Sequence, residues 1–216
     1  MAFRKNKINL EWTNNFAYVI GVIATDGNLS PDLRHINITS KDLEMVENCK
    51  KCLGIKNKIG KKSREGSGDK KYFFLQFGDI NFFEFLLKIG LTPKKSKTLG
   101  QLDIPDKYFP HFFRGCIDGD GSLSISKHPE SKHPQYKLRL CSASENFVKW
   151  VLKSSRKNFN LTGGSITKVK KTSMYILLFA KKDSIKILKM TYLKNVICLS
   201  RKQKIAGKIM GKWRNW

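Results

Sequence analysis

The chain has 216 residues and a formal net charge of +25 at pH 7. A surplus of this size repels itself in a folded protein and is typical of proteins that bind nucleic acid, whereas solubility alone needs far less charge. A hydrophobic content of 40%, with 14 Phe, is enough for a packed core and excludes a disordered chain.

A buried helix is the first predicted element, over Phe16–Thr25, because this stretch is apolar on nearly every side. The polar residues at positions 13–15 are candidates for its N-cap. Asp26 and Gly27 end the helix. We expect Gly27 to adopt the left-handed conformation that is common after helices.

The rest of this half reads as a strand, a helix, a hairpin and a helix. Alternating polar and apolar residues in "RHINIT", Arg34–Thr39, predict a half-buried strand. Ser40 is expected to cap the amphipathic helix "KDLEMVENCKKCLG", which Gly54 closes. The segments "KNKIGKK" and "KKYFFLQF" predict a hairpin, and "INFFEFLLKIG" predicts a second amphipathic helix that ends at Gly90.

The second half repeats this order. A buried helix is predicted over Phe109–Asp118, followed by "DGDG" and the strands "SLSISKH" and "YKLRLCS". Ser144 is expected to cap "ENFVKWVLKSSRKNF", before the hairpin "GSITKVKK" with "MYILLFA" and the helix "DSIKILKMTYL". Three pairs match, at offsets of 94, 104 and 102 residues: Asp26 with Asp120, Ser40 with Ser144, and Phe77 with Phe179. The offset grows by ten residues between the first pair and the second, which fits a longer first hairpin loop in the second half.

This duplication predicts an α+β fold of two pseudo-symmetric αββαββα repeats, each with a four-stranded antiparallel sheet. We assign residues 1–91 to the N-terminal repeat, 92–106 to a linker rich in Lys and Pro, and 107–216 to the C-terminal repeat. Residues 1–120 hold 20 Lys and Arg against 14 Asp and Glu, whereas residues 121–216 hold 22 against 3. The second half, at +19 against +6, should therefore make more phosphate contacts.

The five cysteines, at positions 49, 52, 116, 141 and 198, show no disulfide-framework spacing. Such usage favours an intracellular reducing compartment: a bacterial or archaeal cytoplasm, or an organelle matrix. Cys49-x-x-Cys52 resembles half of a zinc site, but no second ligand pair follows, and two thiols on one helix are the alternative. The first residues lack the apolar stretch of a signal peptide, and the longest apolar run, around Phe16–Ala24, is too short to span a membrane.

Two apolar helices that end in Asp-Gly are the unusual feature of this chain. A carboxylate at a helix C-terminus opposes the macrodipole, so stability alone does not explain it. Each helix also has small residues four positions apart, Ala17 with Gly21 and Gly115 with Gly119. Such a face lets two helices pack closely, which would make Asp26 and Asp120 neighbours and favour a divalent cation between them. The alternative is that Asp-Gly is simply a turn into a hairpin.

These stretches resemble the nine-residue signature of the LAGLIDADG homing endonucleases, in "VIGVIATDG" (Val19–Gly27) and "FRGCIDGDG" (Phe113–Gly121). Both copies carry the acid that the family needs at the eighth position, Asp26 and Asp120. At the sixth position the first copy has Ala24 where the second has Asp118. We expect Asp118 to cap the helix or to hydrogen-bond locally rather than to carry chemistry.

The resemblance implies a monomer whose signature helices form the interface between the repeats and whose two sheets form a saddle over DNA. It implies Mg²⁺-dependent cleavage of both strands of a long pseudo-palindromic or asymmetric site, with short 3′ overhangs, by an enzyme encoded in an intron or intein. Two or three ions are expected at Asp26 and Asp120 and the adjacent Thr25 and Gly119. Mn²⁺ is expected to replace Mg²⁺, and Ca²⁺ to support binding without cleavage. No membrane partner is expected.

The family also places a basic residue near each active centre, at the end of each repeat. Here "KKSKTL" and "RKQKIA" occupy equivalent places. We expect Lys95 and Lys202 to stabilise charge or to order water in the two centres. Lys97 and Lys204 are the alternative pair.

Two-stranded ribbons fit the major groove, so outward-facing strand residues are the candidate DNA contacts. Ile36 and Ile38 should face inside in one strand, and Leu138 and Leu140 in its counterpart. The candidates are polar or basic residues of the strands and their flanks: Ser30, Arg34, His35, Asn37, Thr39, Lys58, Lys61, Arg64, Ser124, Ser126, His128, Lys137, Arg139, Lys168 and Lys170. Arg and Asn suit bases, and most of the lysines suit phosphates.

Two other functions are weighed against a site-specific DNA endonuclease. An intron RNA maturase, or a non-cleaving DNA-binding protein, would keep the fold without needing both acids. A basic structural RNA-binding protein would need neither the duplication nor the glycine-bearing helices. Because both eighth-position acids are present, the sequence favours the endonuclease.

Overall fold

The computed structural model describes residues 7–63, 71–127 and 133–211. Arg64 and His128, two of the predicted DNA contacts, lie outside the described residues. Within the described ranges, no helix combines the length and apolar character needed to cross a bilayer. All five cysteines carry free thiols.

The chain repeats one order of helices and strands. The first half contains α1 (Asn14–Asp26), β1 (Gly27–Leu29), β2 (His35–Ser40), α2 (Leu43–Leu53), β3 (Ile59–Lys62), β4 (Tyr72–Gly78) and α3 (Ile80–Lys88). After a short 3-10 helix at Asp106–Tyr108, the second half contains α4 (Phe109–Asp120), β5 (Gly121–Ser126), β6 (Gln135–Ser142), α5 (Glu145–Phe159), β7 (Ser165–Lys168), β8 (Tyr175–Phe179), α6 (Lys181–Thr191) and α7 (Ser200–Gly211). The predicted αββαββα order is confirmed in both halves.

Each half forms one four-stranded antiparallel sheet, as predicted. The strand order is β1-β2-β4-β3 in the first sheet and β5-β6-β8-β7 in the second. Ile36 and Ile38 of β2, and Leu138 and Leu140 of β6, are fully buried on the side that packs on the helices. The residues between them are partly exposed, so each sheet has one covered face and one open face.

Helices α1 and α4 form the centre of the molecule. The hydroxyl of Thr13 caps α1 by accepting a hydrogen bond from the backbone N–H of Phe16 at 3.0 Å. Every residue of α1 from Phe16 to Ala24 is buried, and the facing part of α4 is buried as well. A helix that is apolar all round is stable only when protein surrounds it, so the two helices pack along each other in the interior.

The glycines that follow these helices are extended, so the left-handed conformation predicted for Gly27 is wrong. Gly27 has φ −83° and ψ 146°, and Gly121 has φ −93° and ψ 159°. Each is the first residue of a strand, so the chain passes from helix to strand without a turn. Glycine is needed for space: a Cβ would lie 2.7 Å from the Cα of Ile23 at one position and 2.6 Å from the Cα of Ile117 at the other.

Strand register gives the offset between the two repeats. Gly27 pairs with Ile38 in the first sheet, and Gly121 pairs with Leu140 in the second. The helix ends are therefore 94 residues apart (121 − 27), whereas β2 and β6 are 102 residues apart (140 − 38). The first hairpin of the second half is longer by eight residues (102 − 94), not ten.

Ser40 therefore corresponds to Ser142, and the predicted match with Ser144 is wrong by two residues. The Ser40 hydroxyl accepts a hydrogen bond from the backbone N–H of Asp42 at 3.0 Å, and the Ser142 hydroxyl accepts one from Ser144 at 3.2 Å. Asp42 is the N-cap residue of α2, so the predicted Ser40 cap is also wrong. Ser144 caps α5 as predicted, because its hydroxyl accepts from the backbone N–H of Phe147.

Helix α7 is not among the predicted elements. Its buried residues are Lys202, Ala206 and Ile209. Their spacing of four and three is helical, but one of the three is charged and another is small. The hydrophobic signal in the sequence is therefore too weak to indicate this helix.

Candidate active site and nucleic-acid interface

Two glycines bring α1 and α4 into backbone contact. A Cβ at Gly21 would lie 2.0 Å from the carbonyl oxygen of Phe112, and a Cβ at Gly115 would lie 2.1 Å from that of Tyr18. Neither position has room for a side chain. The close packing predicted from the small residues is confirmed, and it draws the C-terminal ends of the two helices together.

The two terminal aspartates meet where these helices end. A Cβ at Gly119 would lie 2.1 Å from Oγ1 of Thr25 and 2.5 Å from Oδ2 of Asp26, so the Asp26 carboxylate lies against the last turn of α4, beside Asp120. Burial, followed by the charge of Asp120, raises the pKa of Asp26 to about 7. Partial burial also raises the pKa of Asp120, which still has solvent access. The pair forms an anionic centre that a cation would neutralise.

A buried lysine covers each of the two helix ends. Lys95, which is 6% exposed, donates a hydrogen bond from Nζ to the carbonyl oxygen of Gly27. Lys202, which is 3% exposed, donates to the carbonyl oxygens of Asp118 at 2.8 Å and Gly121 at 2.9 Å. Because Gly27 and Gly121 are equivalent, the two lysines occupy matching positions in the two repeats.

The electrostatics keep both ammonium groups close to the carboxylates. Burial lowers the pKa of Lys95 and of Lys202 to about 8, while nearby aspartates favour the charged form. Each positive charge lies at the negative end of a helix dipole, which is a favourable position. Lys97 and Lys204, the alternative pair, are exposed.

The donors at this centre fit a divalent ion that also binds substrate oxygens. Among the residues that the structure describes, no group of three or more His, Cys, Asp or Glu side chains is placed to hold a metal. Asp26 and Asp120 supply two carboxylates, and the predicted metal-site residues Thr25 and Gly119 precede them and lie in contact with each other. Mg²⁺ typically takes one or two carboxylates and completes its shell with water and phosphate.

Asp118 lies in a separate, buried network. It is 1% exposed and accepts hydrogen bonds from the hydroxyls of Tyr18 at 3.0 Å and Tyr192 at 2.7 Å, and from the backbone N–H of Leu199 at 2.7 Å. The prediction of a local contact is wrong, because these donors are 74 to 100 residues away in the chain. Burial raises the pKa of this carboxyl.

The open face of the first sheet forms a groove that begins at Asp26. Its volume is about 470 Å³, and the predicted contacts Ser30, His35, Asn37 and Thr39 line it. The groove continues directly from the anionic centre along the strands. A nucleic-acid strand lying in it would therefore bring its phosphates towards Asp26.

A row of three amides crosses this groove. Asn28 of β1 pairs with Asn37 of β2, which pairs with Gln76 of β4. All three side chains line the groove. The prediction included only Asn37. The other two follow from the same alternation, since Asn28 lies between the buried Gly27 and Leu29, and Gln76 lies between two buried residues of β4.

The open face of the second sheet is more basic. Lys137 and Arg139 alternate with the buried residues of β6, as predicted. On the neighbouring strand, Ser124 pairs with Lys137 and Ser126 pairs with Gln135. The guanidinium of Arg139 donates to the hydroxyl of Ser124 at 3.3 Å.

Lys61 is exposed at an edge strand of the first sheet, but it lies on the covered face of that sheet and not on the open face. It shares this face with Ile59, and its ammonium lies 5.5 Å from the ring centroid of Phe73, which packs on the core. Its neighbour Lys62 lines the open groove instead. Counting alternate positions from Ile59 would have identified Lys62.

Lys168 is placed in the same way in the second sheet. It lies on the face of Ile166, with its ammonium 5.8 Å from the ring of Tyr175, which also packs on the core. Thr167 takes the open-face position in β7. Lys170 lies beyond the end of β7, in a turn. Ile166, two positions before Lys168, gives the same alternation signal as Ile59 does in β3, and the strand pairing confirms it.

The remaining predicted contacts lie at the ends of strands. Lys58 and Arg34 are exposed, immediately before β3 and β2. The carboxylate of Asp32 makes a hydrogen bond of 2.5 Å with Nδ1 of the His35 imidazole, and it accepts a second hydrogen bond from the backbone N–H of His35 at 3.0 Å. Asp32, which sequence reasoning missed, therefore orients His35 at the rim of the groove.

Comparison with known proteins identifies the fold. Residues 13–90 match the model of the LAGLIDADG-like domain. The structure is similar to the meganuclease I-SmaMI bound to uncleaveable DNA, with a TM-score of 0.60 and 16% identity over 96% of this chain and 91% of that one. The chain has the LAGLIDADG fold. No curated protein sequence matches it.

Two further structures are also similar over both halves of the chain. The LAGLIDADG homing endonuclease I-GzeII in complex with its DNA target has a TM-score of 0.60 and 13% identity, over 95% of this chain and 92% of that one. Full-length DUF199/WhiA from Thermatoga maritima has a TM-score of 0.56 and 17% identity, over 95% of this chain and 63% of that one. At these identities the similarity establishes the fold and leaves the chemistry to the residues of the site.

Proposed function

We propose that this LAGLIDADG chain is a site-specific endonuclease that cuts both strands of duplex DNA with a divalent metal ion. The observation that carries the proposal is the meeting of Asp26 and Asp120 at the ends of paired helices, with a buried lysine at each end. The net charge of +25 and the similarity to DNA-bound homing endonucleases support duplex DNA as the partner.

The chemistry follows from the charges at this centre. A bound Mg²⁺ ion would activate a water molecule and stabilise the leaving oxygen. Asp26 and Asp120 would hold the ions, with backbone oxygens of Thr25 and Gly119 beside them. Lys95 and Lys202 place fixed positive charge where the phosphate gains negative charge, and they act electrostatically rather than as proton carriers. One centre serves each strand, and short 3′ overhangs result.

The metal requirement follows from the same ligands. We expect two or three Mg²⁺ ions, because two carboxylates leave most coordination positions to water and phosphate. Mn²⁺ should replace Mg²⁺, and Ca²⁺ should support binding without cleavage. The similar I-SmaMI was solved on an uncleaved DNA target in the presence of calcium ions.

The open faces of the sheets are proposed to lie over the DNA as a saddle, with the chain acting as a monomer on a long pseudo-palindromic or asymmetric site. The amides of Asn28, Asn37 and Gln76 suit adenine in the major groove, and Arg139 suits guanine. Lys62 and Lys137 suit phosphates. The two halves would therefore read chemically different half-sites.

Cleavage of a randomised duplex library in Mg²⁺, followed by plasmid assays on the selected target, tests the proposal. Asp26→Asn and Asp120→Asn should each abolish double-strand cleavage, while mobility-shift affinity in Ca²⁺ stays close to that of the parent protein. Asp103→Asn, at an exposed linker carboxylate, is the matched control and should cut normally. Double-strand cleavage by either active-site variant, or a parent protein that cuts no duplex, would refute the proposal.

The alternatives are an RNA maturase and a non-cleaving DNA-binding protein of the same fold. Both acids and both buried lysines are in place, which favours cleavage. Binding of a duplex that is selected from the same library by affinity, without any cutting, would indicate a non-cleaving protein. Splicing of an intron by the purified chain, without DNA cleavage, would indicate a maturase.

A further inference from the structure

The segment that carries Lys202 is held by two charged residues of α4. Arg114 donates from Nε to the carbonyl oxygen of Ile197 and from Nη1 to that of Thr191, both at 3.0 Å. Asp118 accepts from the backbone N–H of Leu199 at 2.7 Å. We call residues 191–202 the lysine segment. Its beginning and its middle are therefore fixed to the signature helix of its own repeat.

The contact at Leu199 leads directly to Lys202. The backbone N–H of Lys202 donates to the carbonyl oxygen of Leu199 at 3.0 Å, in the first turn of α7. Nζ of Lys202 then returns to α4 and donates to the carbonyl oxygen of Asp118 at 2.8 Å. The carboxylate of Asp118 thus fixes the start of α7, while the backbone carbonyl oxygen of Asp118 fixes the ammonium group of Lys202.

This arrangement is costly for stability alone. Arg114 is fully buried, and its Nη2 has no hydrogen-bond partner among the described residues. A buried charge with an unsatisfied donor is less favourable than an apolar side chain of similar volume. At the offset of 94 residues, the first repeat has Ile20 and Ala24 in place of Arg114 and Asp118, and both are buried. The equivalent helix of the first repeat, α1, therefore packs in the interior without these charges.

The first repeat holds its lysine differently. Lys95 lies in a short turn rather than a helix, and the backbone N–H of Leu99 donates to its carbonyl oxygen at 2.8 Å. The carbonyl oxygen of Leu99 accepts a hydrogen bond from the hydroxyl of Ser144, in the other repeat. The lysine segment also touches the other repeat. Asn48 donates to the carbonyl oxygen of Cys198, and at the exposed surface Glu44 accepts from Ser200 and Asp42 pairs with Arg201. The buried charged side chains that hold the segment belong to α4.

We propose that Arg114 and Asp118 are positioning residues for Lys202, and therefore for only one of the two cleavage centres. This inference rests on the proposed endonuclease function. Neither side chain needs to touch DNA or metal for this role. Their loss would displace the lysine segment and slow the strand whose transition state Lys202 stabilises, while Lys95 continues to serve the other strand.

Strand-resolved nicking of the selected duplex, with a different label on each strand, tests the inference. Lys202→Met first identifies the strand that depends on this lysine. Asp118→Asn should slow cleavage of the same DNA strand by about 10- to 100-fold, the range for loss of an orienting partner. Cleavage of the other strand should stay within about threefold of the parent rate. When Asp118→Asn and Lys202→Met are combined, the affected strand should be cut no more slowly than with Lys202→Met alone. Asp42→Asn, at the exposed pair with Arg201 on the same segment, is the control and should leave both strands unchanged.

Tyr192→Phe provides a milder variant in case Asp118→Asn does not fold. It removes one donor to Asp118 and should slow the same strand by a smaller factor. Equal slowing of both strands, or slowing of the strand that Lys202→Met spares, would overturn the inference. A parent protein that cuts neither strand would instead count against the proposed function, so the two failures are distinguishable.

Discussion

Helices α1 and α4 occupy equivalent positions in the two repeats but differ in the side chains that they bury. Both bring a glycine to the contact, end in an aspartate and pass directly into a strand. The buried residues of helix α1 include no charged side chain, whereas α4 buries Arg114 and Asp118. The shared features are those that the anionic centre needs. The two charges lie two and six residues before Asp120 and support a neighbouring segment instead.

Replacing the shared glycines gives the largest expected effect. Gly21→Val and Gly115→Val should each lower the free energy of unfolding by about 3 kcal/mol or more, because each side chain would meet backbone rather than a movable group. Denaturant unfolding measures this loss. Gly207→Ala is the matched control: the position is helical with open space around it, so stability should rise by about 0.5–1 kcal/mol. A loss below about 1 kcal/mol at either contact glycine would contradict this packing.

Replacing the equivalent lysines tests whether the two centres share one electrostatic design. Lys95→Met and Lys202→Met should each slow cleavage of one DNA strand by about 100-fold, the effect of losing one charge-stabilising donor. The affected strand should differ between the two variants. Lys97→Met and Lys204→Met, at exposed positions nearby, should cut both strands normally. If the exposed lysines mattered as much as the buried ones, the assignment of the catalytic pair would fail.

The smallest effects distinguish the two faces of each sheet. Lys62→Ala and Lys137→Ala, on the open faces, should weaken DNA binding by a few-fold and reduce the slope of log affinity against log salt by about 1 each. Lys61→Ala and Lys168→Ala, on the covered faces, should leave that slope unchanged. Fluorescence anisotropy at several salt concentrations measures both quantities. A covered-face variant with the larger change in slope would show that the wrong surface has been assigned to DNA.

The sequence predicts the elements whose signal is local. Thr13 lies three residues before the apolar run that begins at Phe16, and Ile36 and Ile38 alternate with polar residues, so the cap of α1 and the covered face of β2 are confirmed. The convergence of Asp26 and Asp120 also follows, because glycine spacing determines how closely two helices can approach.

What the sequence does not predict depends on distant contacts. The partners of Asp118 lie far away in the chain, so nothing near it distinguishes a buried network from a local cap. The extended conformation of Gly27 depends on the strand that follows. Lys61 and Lys62 are adjacent lysines, and Ile59 is the one nearby apolar residue that indicates which of them faces the groove, so the assignment depends on the pairing with β4 for confirmation.

The location of the metal tests the central claim most directly. Crystals of the chain on its selected duplex, grown with Mn²⁺, give anomalous scattering peaks that mark the ions. The account predicts peaks bonded to the carboxylates of both Asp26 and Asp120, beside the scissile phosphates, and their loss when both residues are changed to Asn. Ions bound elsewhere, with these two carboxylates free of metal in a cleaving complex, would contradict it.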